Sequence, residues 1–287
     1  MSEERLRLAV QSSGRLSDGS LELLHRVGIR FNRSRKRLYS SAINFPIDVY
    51  FLRDDDIPRY VSDGVADLGI VGQNIVAEQD ADVVVAEKLG FGRCRLSVAV
   101  RRSESYDGPR SLHGKHIATS YPKLLSDFLA RHEVEASVHT ISGSVEIAPG
   151  IGLADAVCDL VSTGSTLLSN GLREVETILH SEAVLISRSD LSEKAQELTE
   201  KLRFRIAAVR EAGNHKYILL NVPNEKIERV AGLLPGIKSP TVVPLTREGW
   251  SSMHSVVKED DFWEMIDRLR EAGAEGILVV PIEKMIR

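Results

Sequence analysis

Two aspartates and a run of hydroxyl residues in the middle of the chain carry its strongest chemical signal. Asp155 and Asp159 stand four residues apart, and the apolar segment 156–161 predicts a short buried strand. Asp159 interrupts that strand with a carboxylate, which is costly to bury without a partner. The strand is followed by a turn of small and hydroxyl residues, Ser162, Thr163, Gly164, Ser165 and Thr166.

A turn of this composition that leads into a helix can bind a phosphate group. Its backbone N–H groups converge on one point, and the hydroxyl groups lie beside them. Neighbouring carboxylates would repel the phosphate unless they bind sugar hydroxyls or share a divalent cation with it. We therefore predict a site for a phosphorylated sugar with Mg²⁺. The competing interpretation is an ordinary helix N-cap with one helix-end acid and one solvated acid.

The elements around this turn predict an α/β fold. Strand and helix patterns alternate over the first two hundred residues, which indicates mainly parallel sheets. Segments 63–72 and 152–164 share an Ala-Asp pair, an apolar strand and a glycine, as equivalent parts of two similar lobes would. Ligands of open α/β sheets bind at the carboxyl ends of the strands. We expect a two-lobed architecture like that of periplasmic solute-binding proteins, with a ligand cleft between the lobes.

The same patterns predict the domain boundaries. Lobe I covers residues 1–95 and receives a return segment at 174–190, whereas lobe II covers 96–173 and carries the phosphate turn. Residues 191–213 predict a long amphipathic connector helix. Residues 214–287 show the order βαββαβ, which predicts a ferredoxin-like domain. This domain has no evident catalytic pair and no Gly-rich loop, so a regulatory or assembly role suits it better than chemistry.

Composition excludes several classes of protein. The net charge of −4 gives no basic footprint for nucleic acid, and no apolar run has the length of a membrane span. The first residues lack the apolar core of a secretion signal. The two cysteines, Cys94 and Cys158, form no disulfide framework and no metal-ligand spacing, which is typical of a reducing compartment. We expect a cytoplasmic protein.

Residues 159–166 resemble the phosphoribosyl pyrophosphate loop of phosphoribosyltransferases, and the longer segment 145–172 is similar to the ATP phosphoribosyltransferase family. Further similar segments follow in the order that the family shows, at residues 11–16, 52–58, 67–72, 118–122 and 281–284. The resemblance implies transfer of the phosphoribosyl group to N1 of ATP with release of pyrophosphate. This is the first step of histidine biosynthesis, and the resemblance also implies feedback inhibition by histidine.

The resemblance assigns roles to individual residues. Asp155, Asp159 and Arg15 are expected to be catalytic, with both aspartates on the ribose hydroxyls or the Mg²⁺ ion. Contacts to phosphoribosyl pyrophosphate are expected from Ala156, Ser162, Thr163, Gly164, Ser165 and Thr166. Contacts to ATP or pyrophosphate are expected from Gln11, Gly14, Arg53, Arg95 and Glu146. A surface ion pair is the alternative for each arginine, and a plain helix-start acid is the alternative for Glu146.

The C-terminal domain makes this a long-form chain by the same resemblance. Histidine is expected at subunit contacts of these domains, touching Asn221, Thr241 and Gly276. Asn221 stands where an acid would meet the α-amino group of the effector, and all three positions are equally consistent with plain strand and turn residues. The resemblance further implies a homo-oligomer, a dimer and a hexamer built from dimers.

Two other functions remain open at this point. A two-lobed binding protein without catalysis would share the cleft, although it would not need acids beside the phosphate turn. A different phosphoribosyltransferase, such as a purine salvage enzyme, would place two adjacent acids before the turn, whereas here Cys158 precedes Asp159.

Overall fold

The computed structural model describes residues 4–32, 38–234 and 239–286. The chain divides into two compact units, Met1–Glu200 and Lys201–Arg287. No helix within the described ranges is both long enough and apolar enough to cross a membrane.

The first unit is built from alternating strands and helices, as the sequence predicts. Its strands are β1 (Leu6–Gln11), β2 (Tyr39–Ser41), β3 (Ile47–Leu52), β4 (Leu68–Gly72), β5 (Val84–Lys88), β6 (Cys94–Arg101), β7 (His116–Thr119), β8 (Ser137–Thr140), β9 (Ala156–Val161), β10 (Leu172–Ser181) and β11 (Ala183–Ser187). Its helices are α1 (Arg15–Arg26), α2 (Ile57–Ser62), α3 (Gln73–Gln79), α4 (Pro122–Arg131) and α5 (Ser165–Ser169), and α6 (Glu193–Gly213) follows them.

Two sheets divide this unit into two lobes. Lobe I has the strand order β2-β3-β1-β4-β11-β5, with β1 parallel to β3 and β4. Lobe II has the order β10-β6-β9-β7-β8, with β7 parallel to β8 and β9. The chain crosses between the sheets after β5 and again between β10 and β11. This confirms the two-lobed architecture like that of periplasmic solute-binding proteins.

The return to lobe I begins later than the predicted residue 174. Strand β10 pairs with β6 from Leu172 opposite Arg101 to Ser181 opposite Cys94, so residues 174–181 belong to lobe II. Strand β11 then enters the lobe I sheet between β4 and β5. The burial pattern gives the physical reason: all of β11 is buried, as in a central strand, whereas β10 is mostly half-buried at a sheet edge.

Apolar side chains continue from lobe I into lobe II as one core. Ile57 and Val71 of lobe I belong to the same buried cluster as Leu96, Ile117 and Leu125 of lobe II. Burial of each such side chain contributes about 1.5–3 kcal/mol. The two lobes therefore pack on one continuous core.

The second unit confirms the ferredoxin-like prediction. It contains β12 (His215–Pro223), α7 (Ile227–Ala231), β13 (Thr241–Pro244), β14 (Trp250–Lys258), α8 (Phe262–Glu271) and β15 (Glu275–Pro281). The antiparallel sheet has the order β13-β14-β12-β15. Ile218, Leu220 and Met253 point to a core that includes Val230 of α7 and Leu269 of α8, so the helices cover one face of the sheet.

The predicted connector is one continuous helix, α6 (Glu193–Gly213). Ser192 caps α6 by accepting the backbone N–H of Ala195 on its hydroxyl at 3.1 Å. The boundary between the two compact units falls inside this helix, at Glu200 and Lys201. The second half of α6 belongs to the C-terminal unit, where the Met285 N–H donates to the Ala208 carbonyl at 2.9 Å.

Candidate active site

The phosphate turn lies where β9 ends at the cleft. Residues 162–164 make the turn, and α5 begins at Ser165. Gly164 has φ 80°, a left-handed conformation that favours glycine. The Thr163 and Ser165 hydroxyls are 3.0 Å apart, so both face the same space. The turn lines a cavity of about 260 Å³ together with Arg15, Glu146 and Asp159.

Asp159 carries the acidic chemistry of this cavity. Burial raises the pKa of its carboxyl above the ordinary value, and the negative charge of Glu146 raises this pKa further. The backbone N–H of Leu160, which donates to Asp159 Oδ1 at 2.8 Å, lowers the pKa in part. Glu146 comes from a short turn at Val145–Ile147 that also lines the cavity. Two facing carboxylates beside a phosphate turn fit a divalent cation, because a cation relieves their mutual repulsion.

Asp155 and Ala156 lie at the other end of β9. Three residues lie between Asp155 and Asp159, and the four steps along the extended chain span about 13 Å. The Asp155 carboxylate accepts the backbone N–H of His116 at 2.9 Å, so it fixes the start of β7. Ala156 is fully buried inside the lobe II sheet. The expectation that these two residues share a ligand with Asp159 is therefore corrected: the strand direction places them away from the cleft.

Arg15 joins the two lobes across the cleft. It is the first residue of α1, after Gly14 with φ 98°, and its Nη1 donates to the Ser162 hydroxyl at 3.1 Å. Gln11, at the end of β1, lines a second cavity of about 300 Å³. Arg15, Leu160 and Ser162 line both cavities, so the two form one continuous cleft.

The other two predicted arginines, Arg53 and Arg95, are not among the described residues that line the two cavities. Arg95 makes a bidentate ion pair with Glu174, which raises the pKa of the arginine and lowers that of the glutamate. It also donates to the Ser162 carbonyl at 3.2 Å and so supports the turn. Arg53 follows β3 and lines neither cavity among the described residues.

Asn74 and Tyr121 are site residues that the sequence analysis did not single out. Both line the 300 Å³ cavity, Asn74 from the start of α3 and Tyr121 from the turn before α4. Each follows the carboxyl end of a parallel strand, β4 or β7. The strand-end rule that placed Arg15 and Arg53 at the cleft could have found them.

The three predicted effector residues lie on three strands of the C-terminal sheet: Asn221 on β12, Thr241 on the edge strand β13 and Gly276 on the opposite edge strand β15. Asn221 pairs with Ser252 and Thr241 pairs with His254, so all four share the sheet face opposite the helices. Gly276 packs against the Asn221 side chain, where a Cβ would approach Nδ2 to 3.1 Å.

Comparison with known proteins identifies the family. The family model for ATP phosphoribosyltransferase matches residues 53–208, and the model for the C-terminal domain of the same family matches residues 212–284. An ATP phosphoribosyltransferase of Cytophaga hutchinsonii is 56% identical over 282 residues, 98% of this chain and 99% of the relative. One from Phocaeicola vulgatus is 52% identical over 281 residues, 98% of this chain and 99% of the relative.

A solved structure agrees with these sequence matches. The ATP phosphoribosyl transferase (HisG:HisZ) complex from Thermotoga maritima has a TM-score of 0.61 and 25% identity, and the match covers 70% of this chain and 98% of that chain.

The fold, the cleft and these relatives define a pentosyltransferase, an enzyme that moves a phosphorylated ribosyl group. The chain belongs to the ATP phosphoribosyltransferase family and carries the C-terminal domain of its long form. Its substrates are ATP and phosphoribosyl pyrophosphate, it acts in histidine biosynthesis, and its family requires a divalent metal ion. Membership sets aside both the binding protein without catalysis and the purine salvage enzyme.

Proposed function

We propose that the cavity at the turn 162–166 binds phosphoribosyl pyrophosphate, with the 5′-phosphate on the backbone N–H groups and hydroxyls of the turn. The observation that carries this assignment is the placement of Asp159. A carboxylate that interrupts a buried strand lines the same 260 Å³ cavity as the turn. In this position the Asp159 carboxylate can accept hydrogen bonds from the ribose hydroxyls while the turn 162–166 binds the 5′-phosphate.

Mg²⁺ is the divalent ion that suits this site. No cluster of three or more acidic, histidine or cysteine ligands exists in the part of the chain that the structure describes. Mg²⁺ needs none, because it keeps several waters and binds through one or two carboxylates plus substrate phosphates. Asp159 and Glu146 are the residues that would hold it. Bound there, the ion would neutralise charge on the pyrophosphate oxygens.

ATP occupies the adjoining 300 Å³ cavity in this proposal, so that its N1 meets C1 of the ribose where the two cavities join. Arg15 stands at that junction, and its planar guanidinium can bind oxygens of the departing pyrophosphate. Arg95 steadies the turn through the Ser162 carbonyl. Gln11 lines this cavity from the end of β1, and Gly14 lies against the Gln11 side chain. Arg53, at the end of β3, is expected to contact the phosphates of ATP or pyrophosphate. The chain contributes orientation and charge stabilisation, and no side-chain nucleophile is needed.

Titration calorimetry with phosphoribosyl pyrophosphate and Mg²⁺ tests the placement of the sugar phosphate. Thr163→Val removes a hydroxyl from the turn, and Ser137→Ala removes one from the exposed start of β8 as a control. One lost hydrogen bond to a charged group corresponds to roughly 10-fold weaker binding. We expect that loss only for Thr163→Val. Equal affinity of all three proteins would contradict the placement.

The proposed regulation belongs to the C-terminal unit. Histidine binds at the sheet face that carries Asn221 and Thr241, beside Gly276, and the chain acts as a homo-oligomer, a dimer and a hexamer. The shared face of these residues supports the assignment. Asn221 meets the α-amino group through its side-chain oxygen rather than a carboxylate.

A cytoplasmic location agrees with Cys94 and Cys158, which are both free thiols.

A further inference from the structure

A buried polar network lies on the ATP side of the cleft. Asn74, Tyr121 and Ser181 are 4%, 8% and 5% exposed. They come from three places that are distant in sequence: the start of α3 in lobe I, the turn before α4 in lobe II, and the last residue of β10. Buried polar groups are retained where their hydrogen bonds are satisfied, so the direction of each bond in this network can be worked out.

The Ser181 hydroxyl determines which way the Asn74 amide faces. Its oxygen accepts the backbone N–H of Asn74 at 3.0 Å, and its single proton goes to Asn74 Oδ1 at 2.8 Å. The amide nitrogen Nδ2 is thereby turned toward the Tyr121 hydroxyl, 3.1 Å away. With the opposite amide orientation the Ser181 proton would lose the amide oxygen and be left with the Cys94 sulfur beside it, a weaker acceptor.

Tyr121 Oη therefore accepts a hydrogen bond from Asn74, and the phenolic O–H must donate to a different acceptor. Among the described residues, the hydrogen-bond partner of the Tyr121 hydroxyl is Asn74. Burial raises the pKa of the phenol, and the carboxylates that face it, Asp159 of β9 with Asp54 and Asp55 before α2, raise it further. The phenol thus keeps its proton over the working pH range. Its ring lines the 300 Å³ cavity with Arg15 and Ser162.

We propose that Asn74 is a positioning residue: by donating to the phenolic oxygen, it directs the Tyr121 O–H into the cleft to donate to an acceptor atom of ATP. The inference rests on the proposed placement of ATP in this cavity. Because Asn74 and Tyr121 belong to different lobes, the donor is aimed only while the lobes keep the observed arrangement.

Asn74→Asp tests the direction of the bond without changing the size of the side chain. An ionised carboxylate only accepts hydrogen bonds, so the phenol of this variant would turn its proton toward the new carboxylate and away from ATP. We expect the KM for ATP to rise about 10-fold, the loss that corresponds to one hydrogen bond, while the KM for phosphoribosyl pyrophosphate stays unchanged. At a pH low enough to protonate the new carboxyl, its O–H can donate as Nδ2 does. The KM relative to wild type should then recover.

Tyr121→Phe is the companion variant, because it deletes the aimed hydroxyl and leaves the ring in place. We expect the same rise in the KM for ATP, with no recovery at low pH, and no additional loss when both substitutions are combined.

Each remaining outcome decides against the inference. A wild-type KM for ATP in Tyr121→Phe overturns it even if the Asn74 variant fails to fold, and so do additive effects in the double variant. Titration calorimetry with phosphoribosyl pyrophosphate separates the two proposals. If both variants also lose that ligand, the network is only structural. If wild-type protein does not bind phosphoribosyl pyrophosphate at the turn, the proposed function itself is at fault.

Discussion

Asp159 is held in the folded protein against an electrostatic cost. Burial disfavours its ionised form, and Glu146 across the cavity disfavours it further. The Leu160 N–H, which donates to the carboxylate, opposes both effects. A residue that is unfavourable for folding and faces a phosphate turn is typical of a functional site, where strain or charge is retained for the sake of the ligand.

Asp159→Asn should therefore abolish most activity without unfolding the chain. The amide keeps the shape but loses the charge that binds the sugar or the ion, so we expect kcat/KM to fall at least about 100-fold. Asp155→Asn is the matched control, since its side chain can still accept the His116 N–H and lies away from the cleft. Initial rates of phosphoribosyl-ATP formation, followed by absorbance, measure both. Similar losses of kcat/KM in the two variants would show that Asp155 also belongs to the active site.

The raised pKa of Asp159 also predicts how the free energy of unfolding of the wild type and of Asp159→Asn depends on pH. The folded-state pKa of Asp159 is raised, so the unfolded chain ionises first, and the wild type loses stability as pH rises from about 4 through the raised value. Asp159→Asn has no such loss. Urea unfolding should show the two proteins closest in stability at the acidic end and the variant relatively more stable at pH 7. A constant difference across pH would mean that Asp159 is not desolvated.

At the scale of the elements, one helix is capped by a residue of the other lobe. Glu78 near the end of α3 accepts the N–H groups of Lys123 and Leu124 in the first turn of α4, at 2.8 and 2.9 Å. A carboxylate at this position satisfies two backbone donors and complements the helix dipole. Helix α3 belongs to lobe I and α4 to lobe II, so the cap also ties the lobes together.

Glu78→Ala should lower the free energy of unfolding of the first unit by about 1–2 kcal/mol, the range for loss of a cap. Asp127→Ala on the same helix is the control. It breaks only an exposed i,i+4 ion pair with Lys123, so its stability should stay close to that of the wild type. Urea denaturation measures both variants, and equal midpoints would show that α4 does not depend on this cap.

The whole molecule combines a two-lobed unit with a ferredoxin-like unit, and the two carry separate parts of the proposed activity. Residues proposed for the sugar phosphate and ATP all lie before residue 175 in the first unit. Residues proposed for histidine all lie after residue 220 in the second. Regulation should therefore be separable from catalysis by substitutions in the second unit alone.

Thr241→Val provides that test in the full chain. We expect about 10-fold weaker inhibition by histidine with unchanged kcat, because one hydrogen bond to the effector is lost. Ser255→Ala is the control in the same sheet. Ser255 pairs with the core residue Ile218, so it lies on the face that the helices cover. Histidine titrations of the steady-state rate compare the variants, and unchanged inhibition in Thr241→Val would remove Thr241 from the effector site.

The sequence by itself determined the alternation of strands and helices, the phosphate turn after β9 and the ferredoxin-like order of the second unit. These follow from local periodicity and turn chemistry, which neighbouring residues encode. It also supplied the family, through motifs spread along nearly the whole chain.

Only the tertiary structure decided which side chains meet. Asp155 and Asp159 are four residues apart in sequence, but the extended strand β9 holds them about 13 Å from each other. Asn74 and Tyr121 are 47 residues apart, yet their side chains lie 3.1 Å from each other because lobe II packs against lobe I after the crossover that follows β5. Such contacts depend on strand direction, sheet order and the packing of the two lobes, and no local pattern records them.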